Sequence, residues 1–202
     1  GELITSKKRL LVIFRGINTE YFDNSKITSE KVKSFKSLVD FDPEKFKILL
    51  PGRLTRWKGH EMFIESLFIL KTKYGKENFQ AVILGSDQGR KVYFKKLISM
   101  IDKYSLKSNV FFLQHAKEMP VAYYISDVVV SSSIEPEAFG RVSVEAQAMR
   151  RPILASDHGG SKETIMNGKS GFLFENNKPE VLAENLNKLM EMDKDKLQLI
   201  GN

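Results

Sequence analysis

Cations set beside a glycine at the start of a helix can hold a phosphate, and Pro51-Gly52-Arg53-Leu54-Thr55-Arg56-Trp57-Lys58-Gly59 has that arrangement. The segment follows an apolar run and opens an amphipathic one. Gly52 lets the backbone come close to a ligand, while Arg53 and Lys58 add two charges at the helix start. Read alone, it is more simply a glycine-containing turn with solvated basic residues. A second segment, Ser131-Ser132-Ser133-Ile134-Glu135-Pro136-Glu137-Ala138-Phe139-Gly140-Arg141-Val142-Ser143-Val144-Glu145, ends a run in small residues that leave room for a ligand. Gly140 begins a helix whose free N–H groups are further phosphate donors. Glu137 precedes that helix and Glu145 lies within it. A helical rise between them is roughly 12 Å, so they are not an adjacent acid–base dyad. They fit two separate hydrogen-bond acceptors along one elongated ligand. Glu145 borders an apolar face of Val142, Ala146 and Met149, where a carboxylate needs a partner. A salt bridge to Lys or Arg is the structural alternative. A third loop, Ser156-Asp157-His158-Gly159-Gly160-Ser161-Lys162-Glu163, holds a glycine pair that permits close ligand approach.

These loops need a scaffold, and the hydrophobic pattern supplies one. Short β-branched runs at Lys47–Pro51, Gln80–Gly85, Asn109–Leu113, Asp127–Ser132, Ile153–Ser156 and Gly171–Phe174 predict strands. Helical patterns lie between and after them, at Lys58–Lys73, Arg90–Tyr104, Met119–Ser126, Gly140–Met149, Ser161–Asn167 and Pro179–Met192. This alternation predicts an α/β fold: a doubly wound, mostly parallel Rossmann-like sheet with helices on both faces. Right-handed crossovers gather the strand-to-helix loops at one carboxyl edge, where ligands bind in such folds. Residues 1–45 differ: one strand at Leu10–Phe14, then Arg15-Gly16-Ile17-Asn18 and a charged helix around Ser29–Leu38. They read as a hinge or linker arm entering a core domain over 46–192, with 193–202 a charged tail.

In their order, Gly-Arg-Leu-x-x-x-Lys-Gly, Glu-Ala-Phe-Gly-x-x-x-x-Glu-Ala and Pro-x-x-Ala-Ser-x-x-Gly-Gly-x-x-Glu closely resemble the motifs of the group 1 glycosyl transferases. The resemblance runs from about Lys47 to Met192, and Gly168-Lys169-Ser170-Gly171-Phe172 continues it. Arg15-Gly16-Ile17-Asn18 with Phe22 resembles the family's hinge between two facing α/β domains. The resemblance implies the donor-binding half of a GT-B fold. It implies that Arg53 and Lys58 hold the donor diphosphate and stabilise charge on the leaving group, in keeping with the chemistry of such a departure. Glu137 then faces the donor sugar hydroxyls and Glu145 accepts from the ribose. Gly140, Arg141 and Val142 meet the phosphates through backbone N–H groups, with Gly52 beside them, and the loop Gln114–Lys117 meets the base. Arg150 stands where the family commonly has a glycine.

The function this implies is retaining transfer of a sugar from a UDP-, GDP- or ADP-sugar to a hydroxyl, completed by an N-terminal acceptor domain. A non-catalytic nucleotide-sugar-binding module is the alternative, and turnover separates the two. A dinucleotide-dependent oxidoreductase would need a Gly-x-Gly-x-x-Gly turn that is not present. A glycoside hydrolase using Glu137 and Glu145 is weaker still.

Composition bounds these readings. The 202 residues suit one domain, and 42% hydrophobic with 28% charged residues is ordinary globular content. With no cysteine there is no disulfide framework, thiol nucleophile or Cys-ligated metal. The net charge of +7 favours phosphates, nucleic acid or an anionic membrane surface. No basic block interleaved with aromatics supports nucleic acid as a partner. The expected location is cytoplasmic, with peripheral contact at the inner face of a membrane compatible with the charge. Apolar runs such as Val128–Val130 are too short to span a bilayer, and Gly1-Glu2-Leu3-Ile4 lacks the order of a signal peptide. No metal or other cofactor is expected. Asp40-Phe41-Asp42 reads as a solvated turn and cap, and His60, His115 and His158 lack metal-ligand spacing. Trp57 reads as core or hinge packing.

Overall fold

The computed structural model describes residues 13, 15–39 and 41–201; apart from Ile13, the strand expected at Leu10–Phe14 lies outside the described residues, as does Asp40. Six apolar runs become strands: β1 (Phe46–Pro51), β2 (Phe79–Leu84), β3 (Val110–Leu113), β4 (Val128–Ser131), β5 (Ile153–Ser156) and β6 (Phe172–Phe174). All pair in parallel in the order β3-β2-β1-β4-β5-β6. Near-continuous apolar sequence is what parallel strands buried on both faces require.

Successive side chains on these strands go to opposite layers. Ile48, Leu50, Ala81, Ile83, Val128 and Val130 pack into one core. Leu49, Val82, Leu84 and Val129 pack into the other. The first core is covered by α2 (His60–Tyr74), α3 (Lys91–Lys103) and α7 (Pro179–Met190), joined by Leu197 of α8 (Lys194–Gly201). The second is covered by α1 (Ser29–Lys36), α4 (Met119–Tyr124) and α5 (Arg141–Ala148), together with Phe22. A short α6 (Ser161–Thr164) precedes β6. Burying each such Leu or Ile contributes about 1.5–3 kcal/mol. A one-residue slip of any strand would exchange its two layers, so the register is tightly specified.

The helix ends show how the chain turns. Thr28 caps α1 by accepting from the Lys31 N–H at 3.3 Å. Gly75 closes α2 in the left-handed conformation, with Lys71 and Lys73 in the last turn. At the end of α5 the left-handed residue is Arg150, at φ 51°. The Arg150 N–H donates to Gln147 O and the Arg151 N–H to Ala146 O, both at 2.9 Å, which closes the helix in the way a glycine usually does. Helix α8 docks on this turn so tightly that a Cβ at Gly201 would fall 2.3 Å from Arg150 O.

From β1 the chain winds outward to β2 and β3, then returns to place β4 on the other flank of β1. Loops leaving the carboxyl ends of β1 and β4 therefore diverge and open a crevice, the place where open α/β sheets bind ligands.

Candidate functional site

The loop after β1 is held by its neighbours before any ligand is considered. Pairing with β2 continues past the strand ends: the Gly52 N–H donates to Leu84 O at 2.9 Å and the Leu54 N–H to Ser86 O at 3.0 Å. The fit is close enough that a Cβ at Gly85 would meet Gly52 O at 1.9 Å. This fixes Arg53 at the mouth of the crevice. Residues Arg56–Lys58 then form a 3-10 turn, and Gly59 takes φ 71° to start α2. A Cβ on Gly59 would lie 1.8 Å from Ser132 O, so the start of α2 rests directly on the end of β4. Ser132 reinforces the contact by donating from Oγ to Lys58 O at 3.1 Å.

On the β4 side, Ser133 Oγ donates to Glu137 Oε1 and so orients that carboxylate. Lys58 Nζ donates to the same oxygen at 2.7 Å, with both side chains largely buried. The glycine pair serves this loop. Gly159 and Gly160 back onto it, where a Cβ would fall 2.5 Å from Glu137 O or from Phe139 C, respectively. The Gly160 N–H donates to Glu137 O at 2.7 Å, and the His158 ring bonds Ser133 O through Nε2 at 2.8 Å. The close approach that these glycines permit is thus to the neighbouring backbone.

Gly140, at φ 75°, starts α5 with no side-chain cap. The first N–H groups of α5 are left at the cleft wall, where a helix N-terminus favours an anion. One turn on, Glu145 is 7% exposed. Tyr123 Oη donates to its Oε2 at 2.6 Å, and Arg141 Nη2 donates to its Oε1 at 3.0 Å. The carboxylate at the apolar border is therefore paired, as burial requires.

These side chains surround one open cleft of about 870 Å³. Gly52, Arg53, Lys58 and Glu137 line it from the β1 and β4 loops; Gly140, Arg141, Val142 and Glu145 line it from α5. Phe22 of the hinge-like segment also lines it, as do Met119 and Tyr123, which no sequence motif marks. Trp57, expected in core or hinge packing, stands in the cleft wall with Lys58 Nζ 4.5 Å and Arg53 Cζ 6.0 Å from its ring centroid. Cations over an indole face are attracted to it, so Trp57 tethers both. The loop Gln114–Lys117 is not among the cleft-lining residues; Lys117 borders a separate small groove beside α1. Among the described residues, Arg53 has no carboxylate in ion-pair distance, and no cluster of three or more metal-binding side chains occurs. Arg53, Lys58 and Arg141 against Glu137 and Glu145 leave the cleft with surplus positive charge.

His60, the first residue of α2, is fully buried beneath the loop that joins β1 to α2. Its Nδ1 lies 3.3 Å from Thr55 O. Burial pushes the imidazole down to about 4, and the nearby charge of Lys58 adds to the shift. It is a neutral structural ring under a cationic loop.

A family model described as glycosyl transferases group 1 matches residues 32–202. A D-inositol 3-phosphate glycosyltransferase of Paenarthrobacter aurescens is 31% identical over 160 residues, covering 77% of this chain and 38% of that protein. A glycosyltransferase structure from Rickettsia africae superposes with a TM-score of 0.91 at 32% identity, covering 97% of this chain and 51% of that one. The Anabaena protein HepE in complex with UDP-glucose superposes with a TM-score of 0.83 at 26% identity, covering 95% and 50%. The chain thus spans about half the length, or less, of these relatives. No helix among the described residues is long and apolar enough to cross a membrane.

Proposed function

The chain belongs to the group 1 glycosyl transferases, and from that premise we propose that its cleft binds a nucleoside-diphosphate sugar for retaining transfer to a hydroxyl. The observation that carries this reading is the convergence of Arg53, Lys58 and the uncapped start of α5 on one cleft at the topological switch point. In this reading Arg53 and Lys58 hold the diphosphate and stabilise the charge that grows on it as the glycosidic bond breaks. The N–H groups of Gly140, Arg141 and Val142 add fixed dipoles, and Gly52 keeps the approach clear of side chain. Glu137 takes the donor sugar hydroxyls and Glu145 the ribose. No metal is needed when cations and helix dipole already meet the phosphates.

A facing N-terminal domain would bring the acceptor, exclude water and align the attacking hydroxyl. Arg15, Tyr21 and Phe22 extend the cleft wall on the side of the hinge-like arm, which supports closure there. The net charge of +7 suits a cytoplasmic enzyme that meets an anionic acceptor at a membrane surface. Because HepE is complexed with UDP-glucose, uridine is the first base to try. Calorimetric titration with UDP, GDP and ADP tests the donor site: saturable binding of one diphosphate is expected, and no binding by any of them contradicts it. Donor binding with no glycoside formed by the chain joined to its acceptor domain would instead favour a non-catalytic nucleotide-sugar-binding module. The anomeric configuration of a product formed by that joined protein tests retention.

A further inference from the structure

Glu145 has two partners of opposite character. Arg141, on Oε1, carries a guanidinium on a side chain that is 69% exposed and free to be exchanged for a ligand. Tyr123, on Oε2, is fully buried in α4, with the edge of Phe22 packed against its ring at a centroid distance of 5.8 Å. Its ring is held by burial and by that contact.

A carboxylate offers about four acceptor positions on its two oxygens. Tyr123 takes one position permanently and turns the plane of the group, so the positions left over are presented at fixed angles to the cleft. We propose that Tyr123 is the positioning residue through which this chain selects a ribose: by locking Glu145 Oε2, it aims the carboxylate at a vicinal diol. The inference rests on the donor-site reading, in which Glu145 meets the ribose.

Two further features agree with it. Burial, with the Glu145 charge beside it, pushes the Tyr123 phenol well above its usual range, so it remains a donor throughout the neutral pH range. The helix carrying it contributes Met119 and Tyr123 to the cleft wall, whereas the preceding 114–117 loop contributes nothing. Without the Tyr123 hydroxyl, Glu145 would turn toward Arg141, its remaining partner, and the diol would meet it at the wrong angle.

The test is a calorimetric comparison of UDP with 2′,3′-dideoxy-UDP on the wild-type chain and on Tyr123→Phe, with the GDP or ADP pair used if uridine is not the base. The wild type should bind the ribose form more tightly. Tyr123→Phe should weaken that form by about tenfold, the scale of one lost hydrogen bond to a charged group, and leave the dideoxy form unchanged. Equal weakening of both forms, an unchanged ribose preference, or a variant too unstable to bind either overturns the proposal and leaves the donor site standing. A wild type that binds both forms equally removes the ribose role of Glu145 and this inference with it. Failure of every diphosphate to bind defeats the donor-site reading itself.

Discussion

Lys58 and Glu137, 79 residues apart in sequence, meet at 2.7 Å across the two loops that leave β1 and β4. The pair lies in the cleft wall and joins the cation proposed to hold the diphosphate to the carboxylate proposed to meet the sugar. Each group is thereby the electrostatic control on the other.

Replacing Glu137 by Gln removes the counter-charge while keeping shape. Lys58 is then freer to face phosphate, and UDP should bind about three- to tenfold more tightly, as expected when an opposing charge leaves a partly buried site. UDP-glucose should gain less than UDP, because the amide accepts sugar hydroxyls less well than the carboxylate. Titration of both ligands checks this; equal gains would separate Glu137 from the sugar.

The seat of α2 on β4 makes a sharp contrast between two glycines that both have positive φ. At Gly75, at φ 64°, nothing lies within 4 Å of an added Cβ, so Gly75→Ala should cost about 1 kcal/mol from backbone strain alone. At Gly59 the Cβ would sit 1.8 Å from Ser132 O. Gly59→Ala should therefore cost more than about 3 kcal/mol, strain and overpacking together, and should disturb nucleotide binding. Chemical denaturation of the two variants gives the comparison.

His60 couples stability to acid. Its folded value of about 4 lies below the ordinary imidazole value of 6.5, so the unfolded chain binds the proton more readily between those limits. The contribution is full above about 6.5, declines as pH falls, and is lost by about 4, amounting to roughly 3 kcal/mol. Denaturant unfolding at pH 7 and pH 5 should show a larger loss for the wild type than for His60→Asn. An identical loss in the two proteins would contradict the assignment.

Arg150 occupies a conformation that suits glycine. Arg150→Gly should relieve left-handed strain in part, since glycine also adds entropy to the unfolded chain. The expected gain is about 0.5–1 kcal/mol, seen as a rise in Tm of about 2–3 °C. A fall in Tm would mean that the Arg150 side chain is itself stabilising.

The strands were legible because parallel strands buried on both faces leave uninterrupted apolar runs: all six lie within one residue of their predicted ends. Arg53, Lys58, Glu137 and Glu145 were legible because glycines and charges cluster after those runs, and the ordered motifs carry the family resemblance. Partners were harder to see. Tyr123 is one of two adjacent tyrosines in a helix, and nothing local tells which of them reaches Glu145; Ser133 is one of three consecutive serines. Such contacts depend on how separate loops converge in space. The glycine pair shows the converse, since Gly159 and Gly160 signal close approach without saying to what.

Calorimetric titration of UDP into the wild-type chain and the Arg53→Ala/Lys58→Ala double variant decides whether this cleft is a diphosphate site. Wild-type binding should be saturable and at least about 100-fold weaker in the variant, the scale of two lost charge-assisted hydrogen bonds. Undiminished binding by a folded variant would contradict this, placing the diphosphate away from the loop between β1 and α2.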